Sequence, residues 1–252
     1  MRNLLGKNLI FYNLLQSIKN RGAAHIVLLD PDRKDEESLE ERIENANSAG
    51  VDALFVGGSL MMDVRCEDRV KKIKSLSKIP VILFPGGIGQ LNSHYDAMLF
   101  MSVISGRNPH YLIGEQVLAA PIVQSLGIET IPTGYILLDG GAGSTVQYIS
   151  GTTPLPMHRK DIVVAHALAG QFLGMKFIYL EAGSGAKEPV PKSLIEAVNR
   201  TINIPIIVGG GINTPDLARE AVDAGASIIV TGTVIEQKPE LIKKLAEAIH
   251  IK

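Results

Sequence analysis

Cysteine is nearly absent from this chain of 252 residues, in which Cys66 stands alone. A single thiol excludes an internal disulfide and a cysteine-based zinc site, and it suits a reducing compartment, read here as the cytoplasm. Long apolar runs are missing as well: no stretch approaches the ~20 residues a membrane-spanning helix needs. Neither sign of charge is in excess, since 25 Lys and Arg balance 26 Asp and Glu for a formal net charge of −1. That balance gives no support to broad electrostatic binding of nucleic acid. His25, His94, His110, His158 and His166 lack a His-x-x-x-His type of spacing and read as structural or surface residues rather than metal ligands.

What the chain does have is apolar content, 46%, enough for one sizeable core, and a single domain over residues 1–252 is expected. Eight short runs rich in Val, Ile and Leu recur at 24–29, 53–56, 81–84, 97–103, 133–138, 177–180, 204–208 and 227–230. Such runs suit strands buried on both faces of a parallel sheet. Helical patterns lie between most of them, at 38–49, 65–77, 111–126, 158–173, 191–199, 214–224 and 239–249. Proline opens several of these (Pro191, Pro215, Pro239) and glycine closes others (Gly50, Gly127, Gly174, Gly225). Eight βα units predict an α/β fold, a (β/α)8 barrel. The opening stretch carries Phe11, Leu14, Leu15 and Ile18 on one helical stripe and lacks a signal-peptide cleavage site, so it reads as an amphipathic helix over the barrel bottom.

Two units break the rule. Between Phe84 and Ala97 only FPGGIGQLNSHYD is available, so the third helix should be reduced to an extended or one-turn segment. That leaves either a groove in the outer ring or a compact connection without a ligand role. Residues 139–156, dense in Gly, Ser, Thr and Pro, are too long for an ordinary βα loop and suit a lid or surface decoration.

The candidate chemistry clusters at strand ends. In KFIYLEAGSGAKEPV an apolar strand runs into Glu181 and a Gly-Ser-Gly turn, and IPIIVGGGIN and SIIVTGTVIE also stop at glycines before a helical pattern. Three anion-friendly turns at the last three strands suggest a phosphate held at one barrel face. At the first strand end, in LLDPDR, Asp30 is followed two positions later by Asp32. Asp30 is read either as a ligand for a hard cation such as Mg2+ or as a cap of the next helix. Ser59, in VGGSLM at the neighbouring strand end, offers a second oxygen.

Taken together, LLDPD, VGGS, FPGG, SGRNPHYLIG, PTGYILLDGG, YLEAGSGA, VGGGIN and VTGTVIE resemble the geranylgeranylglyceryl phosphate synthase family, which includes the heptaprenylglyceryl phosphate synthases. The resemblance implies a (β/α)8 barrel that joins sn-glycerol 1-phosphate to a long-chain prenyl diphosphate, here geranylgeranyl diphosphate, releasing pyrophosphate. It implies Mg2+ held at Asp30 and Ser59. It implies a glycerol-phosphate site formed by Tyr179, Leu180, Glu181, Ala182, Gly183, Ser184 and Gly185 with Gly210, Gly211, Gly232 and Thr233. A homo-oligomer, dimer or hexamer, is a further expectation, as is transient contact with a membrane surface. Leu28 stands where the smaller Firmicutes members carry a lysine, so the chain is similar to the second group of the family. Without that lysine, phosphate binding must rest more heavily on backbone N–H groups.

Several roles stay open at this level. Glu181 is a candidate general base for the glycerol hydroxyl, or only its hydrogen-bond acceptor; Tyr179 either orients substrate or is barrel core. Arg107 and Asn108 could reach the diphosphate, although Asn108 before Pro109 equally suits a turn into the next helix. Lys187 stands on the mouth side or is simply solvated. Met98 and Met101 read as core rather than prenyl contacts. The chain has no Asp-Asp-x-x-Asp cluster, which disfavours the all-helical prenyltransferases. The runner-up readings are a barrel of the phosphosugar isomerase or synthase type and a non-catalytic phosphate-binding barrel.

Overall fold

A computed structural model of the chain describes residues 9–32 and 36–251, and only the backbone of residues 36–38. Residues 1–8 of the opening stretch and Arg33 of LDPDR lie outside the described residues. Eight parallel strands close on themselves: β1 (Ala24–Leu29), β2 (Ala53–Val56), β3 (Val81–Leu83), β4 (Ala97–Val103), β5 (Glu129–Leu137), β6 (Phe177–Glu181), β7 (Ile206–Gly209) and β8 (Ile228–Thr231). Ten α-helices occur among the described residues: α1 (Leu9–Arg21), α2 (Glu36–Ser48), α3 (Cys66–Leu76), α4 (Glu115–Leu126), α5 (Thr145–Ser150), α6 (Lys160–Phe172), α7 (Lys192–Asn199), α8 (Pro215–Asp223), α9 (Thr233–Gln237) and α10 (Leu241–Ile249). The chain is therefore a (β/α)8 barrel.

Side chains alternate across each strand, so the core has two shells. Val27, Leu29, Val56, Ile178, Leu180 and Val208 pack outward under the helices, while Ile26, Phe55, Ile82, Tyr135, Tyr179 and Ile207 fill the barrel itself. At the N-terminal end α1 closes the barrel: Leu14 is buried against the inner shell, and Phe11 meets Phe177 edge-on with ring centroids 5.3 Å apart.

Strand β5 starts at Glu129, four residues ahead of the apolar run that marks it in the sequence. The polar start has a purpose, because the Glu129 carboxylate accepts the N–H groups of Ile10 and Phe11 at 2.9 and 2.8 Å and so caps α1. In the third unit a single 3-10 turn, Ile88–Gln90, replaces the crossover helix. A groove opens there, lined by Ile88, Leu91, Met98, Phe100, Met101 and Ala119 among others.

Candidate active site at the carboxyl end of the barrel

A cavity of about 600 Å³ occupies the mouth formed by the C-terminal ends of the strands. Its wall brings together most of the residues singled out in the sequence: Asp30 after β1, Ser59 after β2, Tyr179 and Glu181 on β6, and the turns carrying Gly183, Ser184, Gly185, Gly210, Gly211, Gly232 and Thr233. Leu180 and Ala182 point the other way, into the outer core shell, so only their backbone faces this end. The long loop 139–156 also reaches the site. It contains α5, opened by Ser144, whose hydroxyl accepts the N–H of Gln147, and it contributes Ser144, Thr145, Val146, Ile149 and Ser150 to the cavity wall.

Glu181 ends β6 with only 7% of its surface exposed. Its Oε1 accepts the N–H of Gly183 at 2.7 Å. Burial pushes the carboxyl up to about 7 from an ordinary 4.5, against the opposing pull of that N–H and of the Tyr179 hydroxyl. Tyr179 is fully buried, and its hydroxyl lies beside the carboxylate. A Cβ on Gly209 would stand 2.5 Å from that hydroxyl and 2.9 Å from Glu181 Oε2. The neighbouring Gly210 is at φ +83°, where a Cβ would come within 2.7 Å of Glu181 Oε1 and 2.8 Å of the Gly183 nitrogen. A glycine is therefore required for the chain to turn this close to the carboxylate.

The other turns provide donors. The backbone N–H groups of Ser184, Gly185 and Gly211 have no hydrogen-bond partner among the described residues, and all three residues line the cavity. Gly232 lies at a negative φ just before α9, and a Cβ there would meet nothing closer than Leu28, at 3.5 Å. Leu28 lines the same wall, so no strand-borne lysine enters the cavity at that position.

On the opposite side, Asp30 Oδ1 accepts the N–H of Asp32 at 3.0 Å, and a Cβ on Gly58 would stand 3.1 Å from the same oxygen. Asp32 in turn accepts the N–H of Met62 at 3.0 Å, and buried Arg69 donates to the Pro31 carbonyl at 2.9 Å and to Asp63 at 2.7 Å. The β1–α2 and β2–α3 loops are thus fastened to each other, which fixes Asp30 relative to Ser59. Burial and the charges of Asp32 and Asp30 push the Cys66 thiol up, so this free cysteine is not an activated nucleophile. The donor atoms that Asp30 and Ser59 offer are hard oxygens on a cavity wall, the set that Mg2+ takes when most of its remaining ligands are water and phosphate. No group of three or more His, Cys, Asp or Glu positioned to hold a metal occurs among the described residues.

Arg107 and Asn108 are not on the cavity wall. Arg107 donates to the carbonyl of Gly106 at 2.7 Å and lies 3.3 Å from His166. Asn108 accepts the N–H of His110 and donates to the Ser150 carbonyl at 3.0 Å, so it shapes the start of the π-turn His110–Gly114 and ties down α5. Lys187 is exposed and also off the wall.

Further residues complete the site. Met101, Val103 and Tyr111 line both the mouth and the groove beside β4, so the two spaces are continuous there. Met101, expected as core, packs against the inner shell and lines both spaces as well. Phe84 and Tyr135 line the mouth between this junction and Glu181, and Glu236 of α9 also reaches the wall.

A family model for the PcrB family matches residues 15–249. The geranylgeranylglyceryl phosphate synthase of Chitinophaga pinensis is 45% identical over 240 residues, which cover 95% of this chain and 95% of that protein. The synthase of the same name from Thermococcus kodakarensis is 48% identical over 231 residues, covering 91% of this chain and 90% of its own. A crystal structure of (S)-3-O-geranylgeranylglyceryl phosphate synthase from Thermoplasma acidophilum, in complex with substrate sn-glycerol-1-phosphate, matches with a TM-score of 0.90 at 34% identity, over 96% of this chain and 98% of that one. With the family match spanning nearly the whole sequence and relatives this similar, the chain belongs to the PcrB family and is an enzyme, a prenyltransferase.

Proposed function

We propose that the enzyme forms the ether bond between the free terminal hydroxyl of sn-glycerol 1-phosphate and geranylgeranyl diphosphate, releasing pyrophosphate, with Mg2+ as cofactor. The observation that carries the reading is the place of Glu181: a buried carboxylate between glycine turns with unpartnered N–H groups on one side and the opening of an apolar groove on the other. The turns at Gly183–Gly185, Gly210–Gly211 and Gly232–Thr233 suit the phosphate, since backbone amides replace the cation that Leu28 does not provide. Tyr179 and Glu181 then meet the glycerol. A carboxyl that titrates near 7 is matched to proton removal at neutral pH, so Glu181 is assigned as the general base and Tyr179 as the group that orients the hydroxyl.

The apolar groove beside β4 suits the prenyl chain. Its junction with the mouth would bring the allylic carbon toward Glu181 and the diphosphate toward Asp30 and Ser59. Those two residues would hold Mg2+, which when bound offsets the charge that builds on the leaving diphosphate. Asp30 is fixed for this task by the Asp32 N–H and by the loop fastening through Arg69.

The reading extends to a cytoplasmic homo-oligomer, a dimer or hexamer. In support, α4 exposes Val117, Leu118 and Ile122, with no charged residue between Gln116 and Leu126, and Ile113 of the preceding turn is exposed as well. Leu60, Met62 and Val64 are exposed on the β2–α3 loop, and Leu60 also lines the mouth, which supports brief contact of this rim with a lipid surface. No helix among the described residues is long and apolar enough to cross a membrane.

The deciding experiment offers the purified protein and Mg2+ a mixture of C15 to C35 prenyl diphosphates with either sn-glycerol 1-phosphate or its sn-3 enantiomer. Mass spectrometry should show a C20 ether formed with the sn-1 compound in strong preference. Absence of any ether product, or equal use of both enantiomers, would overturn the assignment.

A further inference from the structure

We infer that His25 is a positioning residue for sn-glycerol 1-phosphate: through its hydrogen bond to the Thr231 hydroxyl it holds the end of β8, and with it the turn Gly232–Thr233. The inference rests on the reading above that this turn carries the phosphate. Alternation along β1 and β8 turns both side chains away from the barrel interior, since Ile26 and Val230 belong to the inner shell and Val27 and Ile229 to the outer one. His25 and Thr231 are thus a polar pair flanked by apolar residues. His25 is fully buried, Thr231 is almost so, and His25 Nε2 lies 2.9 Å from Thr231 Oγ1.

The pair joins a fixed point to the site. Behind His25, Asp52 just ahead of β2 accepts the His25 backbone N–H at 2.8 Å and lies 3.0 Å from His250 Nε2, past the end of α10. In front of it, Thr231 and Gly232 line the mouth, and because the Thr231 side chain points outward it is the Thr231 backbone that does so. Gly232 is the N-cap of α9, and no side chain caps that helix. Among the described residues, the His25–Thr231 bond is therefore the side-chain hydrogen bond nearest in sequence to the turn.

Stability alone does not account for the pair. His25 Nδ1 is buried without a hydrogen-bond partner among the described residues, an arrangement that costs free energy and that an apolar pair of similar size would avoid. Burial, and then the charge of His250, push the ring down to about 3 from an ordinary 6.5. His25 is therefore neutral at neutral pH and exerts no ionic pull on a phosphate. What it supplies is a fixed direction for Thr231, and so for the backbone amides that follow.

The test measures binding of sn-glycerol 1-phosphate by calorimetry, with prenyl-transfer kinetics alongside, in Thr231→Val, His25→Leu, His25→Gln and the double variant His25→Leu/Thr231→Val. Thr231→Val and His25→Leu should each weaken binding by about tenfold, the size of one hydrogen bond, and leave KM for geranylgeranyl diphosphate unchanged. His25→Gln, whose amide keeps a hydrogen-bonding group toward the Thr231 hydroxyl, should bind close to wild type. The double variant separates holding the turn from packing. With both polar partners replaced, its thermal midpoint should return toward that of the wild type while its affinity for glycerol phosphate stays as low as in either single variant. Affinity that recovers with the midpoint, or a folded Thr231→Val protein with wild-type affinity, would overturn the role of His25. A wild type that binds sn-glycerol 1-phosphate but forms no ether would overturn the prenyl-transfer reading, and the affinities would then decide His25 by themselves. A wild type that binds no glycerol phosphate would overturn both.

Discussion

Glu181 Oε1 lies 2.7 Å from the backbone nitrogen of Gly183, and a Cβ on Gly210 would stand 2.7 Å from that same oxygen. One carboxylate oxygen is thus held by the turn after its own strand and hemmed in by the turn after the next. Glycine at position 210 is a condition of the base being where it is. Replacing Gly210 by Ala should raise KM for glycerol phosphate and lower kcat together, because the added methyl displaces the carboxylate and the turn. Gly232→Ala meets only Leu28 at ordinary contact distance, so the barrel should accommodate it and any rise in KM would report crowding of bound phosphate alone. If kinetics of the two variants prove indistinguishable at equal thermal midpoints, the division of labour between these turns is wrong.

The pH behaviour of Glu181 has two signs. For activity, the base must be deprotonated, so kcat/KM for glycerol phosphate should climb about tenfold per pH unit below the carboxyl's value of about 7 and level off above it. For stability the direction is opposite. An unfolded glutamate releases its proton near 4.5, whereas the folded one keeps it to about 7, so the folded state binds more protons between those values and loses stability as pH rises through them. The loss amounts to about 3 kcal/mol at most. Glu181→Gln should therefore remove the rising limb of the rate profile, reduce kcat by roughly a hundredfold and raise the thermal midpoint at pH 8. A Gln variant with near-normal kcat would reduce Glu181 to a hydrogen-bond acceptor.

Much of this site was legible before any coordinates, because its parts sit where strands stop. The apolar runs at β1, β2 and β4 coincide with the strands themselves, and a carboxylate or glycine right after such a run in a βα barrel has to face the mouth. What escaped had weaker signals. Strand β5 begins with Glu, Thr and a Pro that no apolar criterion selects; its first residue is recruited as a cap for α1. Helices α5 and α9, six and five residues long, are too short for a periodic pattern and rely on tertiary contacts. Tyr135 was overlooked although it is one register step from Tyr179 across the β5–β6 ladder; pairing the two strands in register is the step that exposes it. Arg107 and Asn108 looked well placed just past β4, yet local backbone groups claim both side chains.

Asp30 and Ser59 make unequal contributions on the proposed metal side. Asp30→Ala removes the charged oxygen and should abolish prenyl transfer at any Mg2+ concentration, while calorimetry still registers sn-glycerol 1-phosphate at close to normal affinity. Ser59→Ala removes a neutral donor that water can replace, so partial activity should persist and recover as Mg2+ is raised. An active Asp30→Ala enzyme would remove Asp30 from the reaction.

The groove that replaces the third helix should set the length of the prenyl donor. Its wall includes Ala119, buried on the inner side of α4, together with Leu91 and Met98. Ala119 is the smallest side chain on that wall apart from glycine, and it is set well back from Glu181 by the intervening Met101, Val103 and Tyr111. A phenyl ring introduced here fills space that only the distal part of a long chain needs. Ala119→Phe should therefore shift the product distribution, measured on a mixed C15 to C35 donor pool, toward the shorter donors, with KM for sn-glycerol 1-phosphate unchanged. Overfilling a packed wall typically costs about 1–3 kcal/mol, so the thermal midpoint should drop by a few degrees without loss of the fold. A folded Ala119→Phe enzyme with the wild-type distribution of products would show that the chain leaves the mouth by another route.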